Sequence, residues 1–133
     1  MIVDEDTEDS ELRLYCLIRT DLHLFCLEPT EYTELMGKLM AQTGHAFVSA
    51  LYESDNDIVD RYMGNAQPKI VLKAKNENVL RRSQKECKAL GIACYLVTDA
   101  GRTVFPEPTV TCLGIGPVMK SQLPKYVTGL QLL

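Results

Sequence analysis

The stretch NENVLRRSQKECKALGIACYLV, residues 76–97, decides the fold. Asn76 is a favourable helix N-cap, and the apolar spacing after it predicts a helix over 77–90 that Gly91 ends. The nearly all-apolar run 92–97 then predicts a buried strand, which is typical of a sheet covered by helices on both faces. The helix is expected to direct Leu80, Cys87 and Leu90 inward and Arg81, Arg82, Lys85 and Lys88 outward.

Apolar runs on either side of this stretch complete the fold. The order strand, helix, strand, helix, strand, strand predicts an α/β fold, a three-layer α/β/α domain with a mixed four-stranded sheet. In the first helix, small residues are expected to allow close packing; they are Gly37, Ala41, Gly44, Ala46 and Ala50. The predicted strands are 12–18, 68–73, 92–97 and 109–115, and the predicted helices are 34–52, 77–90 and 119–126.

The chain divides into a tail and one domain. Residues 1–11 contain six acidic and almost no apolar side chains, so they are predicted to be a disordered tail. Residues 12–133 are predicted to form a single domain, which is long enough to build a core without disulfides or a structural metal. Within it, the irregular segment 22–33 contains Pro29 and is interpreted as an inserted loop.

Composition excludes several classes of protein. The 133 residues are 46% hydrophobic and 24% charged, as in ordinary soluble globular domains. No apolar run approaches the ~20 residues that cross a bilayer, and the amino terminus lacks the basic residues of a targeting peptide, so a cytoplasmic protein without membrane contact is expected. The five cysteines lack CxxC spacing, which argues against a thiol metal site and favours buried, reduced thiols. They are Cys16, Cys26, Cys87, Cys94 and Cys112.

Charge is distributed unevenly along the chain. The net charge is -4, but residues 1–60 hold 14 acidic and three basic residues, whereas residues 61–133 hold 11 basic and four acidic ones. Such asymmetry is compatible with nucleic-acid binding, because phosphate attraction depends on the local field. A solvated charged helix face is the alternative interpretation.

Two polar groups are candidates for chemistry. The sequence DAGRT, residues 99–103, follows the strand 92–97, where ligands of open α/β sheets gather, although the same residue types also make ordinary surface turns. Lys38, Gln42 and His45 share one face of the first long helix and could neutralise charge, position a carbonyl and relay a proton. The alternatives are a packing role for His45 and a structural ion pair for Lys38.

Several longer motifs resemble the type 2 peptidyl-tRNA hydrolase family. DAGRT is followed at a fixed distance by TVTCLGIGP, residues 109–117, and is preceded by GKLMAQTGHA, residues 37–46. Further similar stretches are LYCLIRTDL at 14–22, QPKIVLK at 67–73 and KYVTGLQLL at 125–133. The segment between RTDL and GK is about ten residues longer here than is usual in the family.

The resemblance implies hydrolysis of the ester bond of peptidyl-tRNA, which releases free tRNA and peptide without a metal or an organic cofactor. Motif by motif, it implies catalytic positions at Lys38, Asp99, Thr103, Thr111 and His45. Substrate-binding positions are expected at Gln42, Lys69 and Arg102, together with Arg19 and Asp21, which leave the first strand.

Other functions stay open from the sequence. A catalytically diverged RNA- or protein-binding module on the same fold is the main alternative. A nucleotide-binding domain is disfavoured, because Gly114-Ile-Gly116 is half of a dinucleotide motif and follows no strand-to-helix turn. A homodimer, and a protein partner that binds residues 22–33, are the interactions considered besides tRNA.

Overall fold

The computed structural model describes residues 11–22, 29–102 and 104–133, and over 29–35 it describes the backbone alone. It has four strands, four α-helices and a short 3₁₀ helix in these ranges. The strands are β1 (Leu12–Arg19), β2 (Lys69–Ala74), β3 (Cys94–Asp99) and β4 (Thr109–Met119). The helices are α1 (Pro29–Glu53), α2 (Asn56–Met63), α3 (Glu77–Ala89) and α4 (Lys125–Thr128), with the 3₁₀ helix at Lys120–Gln122.

The strands form one mixed sheet in the order β2-β1-β4-β3. β1 and β2 are parallel, and β4 is antiparallel to β1 and β3. The predicted three-layer α/β domain with a mixed four-stranded sheet is confirmed. The carboxyl ends of β1, β2 and β3 therefore lie together, beside the amino end of β4; we call this the carboxyl end of the sheet and the other the amino end.

The two faces of the sheet carry separate parts of the core. On one face, Tyr15, Leu17, Leu113 and Ile115 pack with Leu80 of α3. On the other, Ile18, Cys16, Val97 and Cys112 pack with Ala46 of α1. This alternation along β1 is what a strand covered on both faces requires.

α1 lies unusually close to β4. A Cβ placed on Gly114 would lie 2.0 Å from the backbone oxygen of Ala46, so only glycine fits there. For Gly37 and Gly44 the expectation of close packing is wrong, because a Cβ at either position meets nothing within 4 Å. For Ala46 and Ala50 it is confirmed, since both are fully buried and Ala46 makes the close approach to the strand.

α3 forms much as its sequence predicts. The Asn76 side chain accepts a hydrogen bond of 3.1 Å from the Val79 amide, and Gly91, with φ of 72°, ends the helix. The predicted inward orientation of Leu90 is wrong. This residue follows the last helical turn and is 60% exposed. The inward Leu80 and Cys87 are buried, and the four outward bases are exposed.

Three elements differ most from the sequence predictions, and β3 lies at Cys94–Asp99 where 92–97 was predicted. α1 begins at Pro29, so residues 29–33 of the predicted inserted loop are helical; residues 23–28 of that loop and the tail 1–10 lie outside the described residues. β4 continues past residue 115 to Met119, because its register against β1 shifts beside Gly116 and an irregularity of this kind tolerates Pro117. The predicted helix 119–126 is a 3₁₀ helix followed by α4.

The described cysteines are free thiols, and Cys16, Cys87 and Cys112 are buried. A hydrogen bond with Cys112, together with burial, raises the pKa of Cys16, and burial raises the pKa of Cys87 to about 12. Cys16 and Cys87 therefore stay protonated, and the three buried cysteines act as small core residues. In the described ranges, no helix combines the length and apolar character needed to cross a membrane.

Candidate functional site

The candidate site lies where α1 crosses the carboxyl end of the sheet. Lys38 and Gln42 project from successive turns of α1, Asp99 is the last residue of β3, and Thr111 is near the start of β4. Lys38 and Asp99 are 61 positions apart in sequence, yet Lys38 Nζ lies 2.6 Å from Asp99 Oδ1. The structure therefore brings together the two polar groups that the sequence singled out.

Asp99 is the centre of this arrangement. It is 9% exposed, and its Oδ1 accepts hydrogen bonds from Lys38 Nζ and, at 3.2 Å, from Gln42 Nε2. Its Oδ2 accepts a hydrogen bond of 2.9 Å from the Gly101 amide. The Lys38 hydrogen bond is the main cause that lowers the pKa of Asp99, opposed by burial and assisted by the Gly101 amide. Asp99 is therefore held as a carboxylate.

Gln42 links Asp99 to β4. Thr111 Oγ1 donates a hydrogen bond of 2.5 Å to Gln42 Oε1, which leaves the amide nitrogen of Gln42 to donate to Asp99. Thr111 and Gln42 are 1% and 3% exposed. Because both polar groups of the amide are used, the Gln42 side chain has one orientation that satisfies its partners.

A β-bulge places Thr111 on the side of α1. Val97 pairs with Cys112 and Thr98 pairs with Val110, so Thr111 is an extra residue between them. Thr111 and the next residue, Cys112, therefore both contact α1. The Cys112 thiol lies 3.4 Å from the Gln42 backbone oxygen. Bulges often redirect side chains beside active sites. Sequence reasoning missed this bulge, because residues 109–115 carry no local signal for it.

The loop after Asp99 depends on glycine. Gly101 has φ of 77°, and a Cβ there would lie 2.2 Å from the backbone of Glu107. Phe105 packs against Leu22, with Leu39 of α1 beside them, and so anchors the loop. The predicted catalytic residue Thr103 lies outside the described residues, and Arg102 is exposed on the same loop. The hydrogen bond from the Gly101 amide joins this turn to the Asp99 carboxylate.

Arg19 and Asp21 form a pair at the rim of the site. The guanidinium donates to both carboxylate oxygens, at 2.9 and 3.1 Å, and also to the Val110 backbone oxygen at 2.9 Å. It further lies 3.6 Å from Glu77. The hydrogen bonds with Arg19 lower the pKa of Asp21. The pair connects the end of β1 to β4 and α3, next to Thr111 and without direct contact to Asp99.

Two predicted site residues lie outside the network. Lys69 begins β2 and pairs in register with Leu14, so it lies at the amino end of the sheet, and its ammonium is 5.6 Å from the Tyr62 ring. The prediction that Lys69 faces the same region as Asp99 is wrong, because β2 runs parallel to β1 and only its last residue reaches the carboxyl end. His45 is exposed on α1, and in the described residues no hydrogen bond joins it to the network.

The site is built from one carboxylate and its donors. Within the described ranges, no cluster of three His, Cys, Asp or Glu side chains could hold a metal ion. The four linked side chains can hold a negative charge, align a small polar molecule against Asp99 and supply positive charge beside it.

Comparison with known proteins shows the family of the chain. Residues 12–133 match the family model described as peptidyl-tRNA hydrolase PTH2. A peptidyl-tRNA hydrolase of Metallosphaera sedula is 32% identical over 128 residues, covering 92% of this chain and 100% of the relative. That of Methanothermobacter thermautotrophicus is 33% identical over 97 residues, covering 73% and 87%. A mouse mitochondrial peptidyl-tRNA hydrolase 2 is 34% identical over 113 residues, covering 83% of this chain and 57% of that protein.

Proposed function

Because the chain belongs to the peptidyl-tRNA hydrolase PTH2 family, it hydrolyses the ester bond of peptidyl-tRNA, and we propose that Asp99 and Lys38 carry the chemistry. The products are free tRNA and a peptide with a new carboxylate. The observation that carries the proposal is the 2.6 Å contact between Lys38 Nζ and Asp99 Oδ1, at a place where α1 meets the carboxyl end of the sheet. A pair of this kind combines a group that orients water with one that stabilises negative charge.

Asp99 orients the attacking water. A carboxylate has about four acceptor positions. Three are used by Lys38, Gln42 and Gly101, so one position is left for a water proton. A carboxylate whose pKa is lowered is a weak base, and Asp99 therefore acts by holding the water in line with the ester carbon, not by fully removing its proton before attack.

Lys38 stabilises the oxyanion that develops on the ester carbonyl. Its ammonium is beside the water-binding carboxylate, so an ester carbon placed next to that water brings its carbonyl oxygen close to the positive charge. The Lys38 side chain is 20% exposed, so it is not sealed within the core. Thr103, which the family resemblance also implicates, is proposed to contact the substrate from the adjoining loop.

Gln42 and Thr111 are positioning residues. Thr111 is buried, and its hydroxyl is directed to Gln42, so we place it behind Asp99 and not against the substrate. Gln42 holds Asp99 at the correct distance from Lys38. His45 is exposed beyond this network, and we propose that it contacts tRNA from the outer surface of α1.

The tRNA backbone is proposed to bind along the rim of the site. Arg102 is exposed on the loop that follows Asp99, and Arg19, paired with Asp21, holds the neighbouring rim in shape. The outward bases of α3 lie on the opposite face of the sheet, and Arg81 and Arg82 pair there with Glu77 and Glu86. Their share of the binding is therefore smaller than the sequence alone suggested. Lys69, at the amino end, would reach only tRNA far from the ester.

Release of an N-acetyl-aminoacyl group from tRNA tests the proposal. Asp99→Asn keeps the shape of the side chain but removes its charge, and we expect kcat to fall about 100- to 1,000-fold while the Kd for tRNA changes less than about threefold. Lys38→Met should lower kcat by a similar factor. Asp57→Asn, at an exposed carboxylate of α2, is the matched control. An Asp99→Asn enzyme that keeps more than about a tenth of the wild-type kcat would remove Asp99 from the mechanism.

We propose the cytoplasm as the location of the protein. Action on peptidyl-tRNA and buried reduced thiols support work in the cytoplasm, where thiols stay reduced. A homodimer, and a protein partner that binds at 22–33, stay predictions of the sequence. No geometric observation favours a non-catalytic module, and the contacts of Lys38 and Gln42 with Asp99 support hydrolysis.

A further inference from the structure

Arg19, the last residue of β1, bonds to the part of β4 that carries the bulge. The pairing of β1 with β4 runs as far as Ile18 and Cys112. Beyond this last pair, Arg19 Nη1 donates a hydrogen bond of 2.9 Å to the Val110 backbone oxygen. A side chain therefore extends the connection between the two strands towards the candidate site.

The residue that Arg19 holds comes directly before the bulge. On the β3 side, Val110 pairs with Thr98, and Thr111 is the extra residue that follows this pair. The regular ladder is interrupted at such a residue, so its direction depends on how firmly its neighbours are held. Val110 is held from both sides, by its pairing with β3 and by the Arg19 guanidinium.

Thr111 carries the position of the bulge into the site. Its hydroxyl donates to Gln42 Oε1 at 2.5 Å, and Gln42 Nε2 donates to Asp99 Oδ1 at 3.2 Å. Arg19 is thus joined to Asp99 through a backbone oxygen, a hydroxyl and an amide. Hydrogen bonds weaken steeply when they are misaligned, so a shifted bulge would loosen the contact between Thr111 and Gln42.

Asp21 orients the guanidinium for its bond with β4. Arg19 Nε and Nη2 donate to the two carboxylate oxygens of Asp21, at 2.9 and 3.1 Å. Pairing at two points fixes the plane of the guanidinium and directs Nη1 to the Val110 oxygen. A lysine ammonium does not reproduce this arrangement, because it lacks the planar fork of donors.

The surroundings of Arg19 favour this role over the binding of tRNA phosphate. Besides Asp21, the Glu77 carboxylate lies 3.6 Å from Nη1. Two carboxylates face the guanidinium, so little of its positive charge is left to attract an anion. The Arg19 side chain is also only 16% exposed.

We propose that Arg19 is a positioning residue for the hydrolysis, which acts by holding Val110 and so directing Thr111 to Gln42. Asp21 contributes by orienting the guanidinium. The inference rests on the proposed function, in which Gln42 holds Asp99 in place. A direct contact of Arg19 with the tRNA backbone is the alternative that the experiments separate from it.

Release of an N-acetyl-aminoacyl group from tRNA tests the proposal. Arg19→Lys keeps the charge but loses the fork, so we expect kcat to fall about tenfold and KM to stay within about twofold. Asp21→Asn should act in the same direction. Arg61→Lys, at an exposed arginine of α2, is the matched control and should change neither. An unchanged kcat in Arg19→Lys would overturn the proposal, and a raised KM with that kcat would indicate contact with tRNA.

A double-mutant cycle tests the route through Thr111. Thr111→Val removes the hydroxyl and should lower kcat about tenfold. If Arg19 acts through that hydroxyl, adding Arg19→Lys should lower kcat by no more than about a further twofold. Independent effects would multiply to a loss of about 100-fold, and that result would disprove the route.

The side-chain amide of Gln42 reports on its position without turnover. In NMR spectra of the isotope-labelled chain, Arg19→Lys should shift the Gln42 amide signals, whereas Arg61→Lys should leave them in place. Unmoved signals in Arg19→Lys would overturn the inference, even where Asp99→Asn is inactive as the proposed function requires. An active Asp99→Asn enzyme would instead overturn the proposed function. Thermal unfolding verifies that each variant is folded.

Discussion

The face of the sheet that α1 covers buries the polar side chains of the candidate site, whereas the core on the face that α3 covers is built mainly of leucine, isoleucine and valine. On the α1 face, Gln42, Thr111 and Asp99 are buried beside Ala46 and Cys112. On the α3 face, the core contains Leu17, Leu80 and Leu113. Both faces belong to the same strands, so the difference arises from which residues alternate along them.

The difference explains how one small domain combines stability with a reactive site. Burial of large aliphatic groups on the α3 face supplies free energy of folding. The α1 face contributes less free energy of folding, because its buried polar groups need partners and the backbones of α1 and β4 must approach closely at Gly114. We therefore expect substitutions on the α1 face to change activity and those on the α3 face to change stability alone.

The largest effect is expected for Gly114→Ala. The new Cβ would lie 2.0 Å from the Ala46 backbone oxygen, so α1, which carries Lys38 and Gln42, must move. We expect a loss of about 3–5 kcal/mol in the free energy of unfolding, above the usual range for overpacking, and at least a 100-fold lower kcat. Urea unfolding and the release assay measure these quantities. Gly44→Ala, where the Cβ meets open space, should instead stabilise by up to about 1 kcal/mol; equal behaviour of the two would contradict the close approach.

The next effect is expected for Leu80→Ala. Leu80 is fully buried on the α3 face, and truncation should lower the free energy of unfolding by about 3 kcal/mol through lost burial and a cavity. Because the site is on the other face, kcat per folded molecule should stay within about twofold. A large fall in kcat at a temperature where the variant is folded would show that the two faces are not independent.

A smaller effect is expected for Thr111→Val. The valine keeps the shape but leaves the buried Gln42 Oε1 without its donor, which should cost about 2 kcal/mol. Gln42 then holds Asp99 less firmly, so kcat should fall about tenfold while KM stays unchanged. Thr111→Ser restores the hydroxyl and should recover most of the lost kcat. If serine and valine give the same kcat, the hydroxyl does not position Gln42.

The smallest effect is expected from pH. The pKa of Asp99 is lowered in the folded protein, so its ionic contacts contribute stability above the unfolded carboxyl pKa of about 3.9. This contribution is lost as the pH falls through the lower folded value. The stability advantage of the wild type over Asp99→Asn should therefore be smaller at pH 3 than at pH 6, as measured by urea unfolding. A pH-independent difference would mean that the carboxylate adds no linked stability.

Much of the fold could be predicted because its signals are local. The Asn76 cap, the periodicity of α3 and Gly91 lie within one short stretch and identify the helix and the strand after it. Leu90 was misplaced, since periodicity cannot tell that the helix has already ended. The extension of β4 through Pro117 was missed because Gly-Pro normally marks a turn, and only the shifted register beside β1 makes it acceptable.

The site could be predicted only in part. The side chains of Lys38 and Gln42 were expected on one face of a helix. Their spacing does not show that this helix lies against the end of β3, where both contact Asp99. The family resemblance supplied that link. It could not supply the bulge that directs Thr111 toward Gln42, nor the direction of β2 that carries Lys69 away to the amino end.

The order of the strands also constrains when the enzyme becomes active. β4 lies between β1 and β3 in the sheet, yet among the four described strands it is the last in sequence. During synthesis from the amino terminus, β1 and β3 have no neighbour to join them until Thr109–Met119 has been made. Asp99 ends β3, and among the described strands β4 is the neighbour that holds β3 in the sheet. A nascent chain that stops short of β4, itself still esterified to tRNA, therefore has no assembled centre with which to cleave such esters.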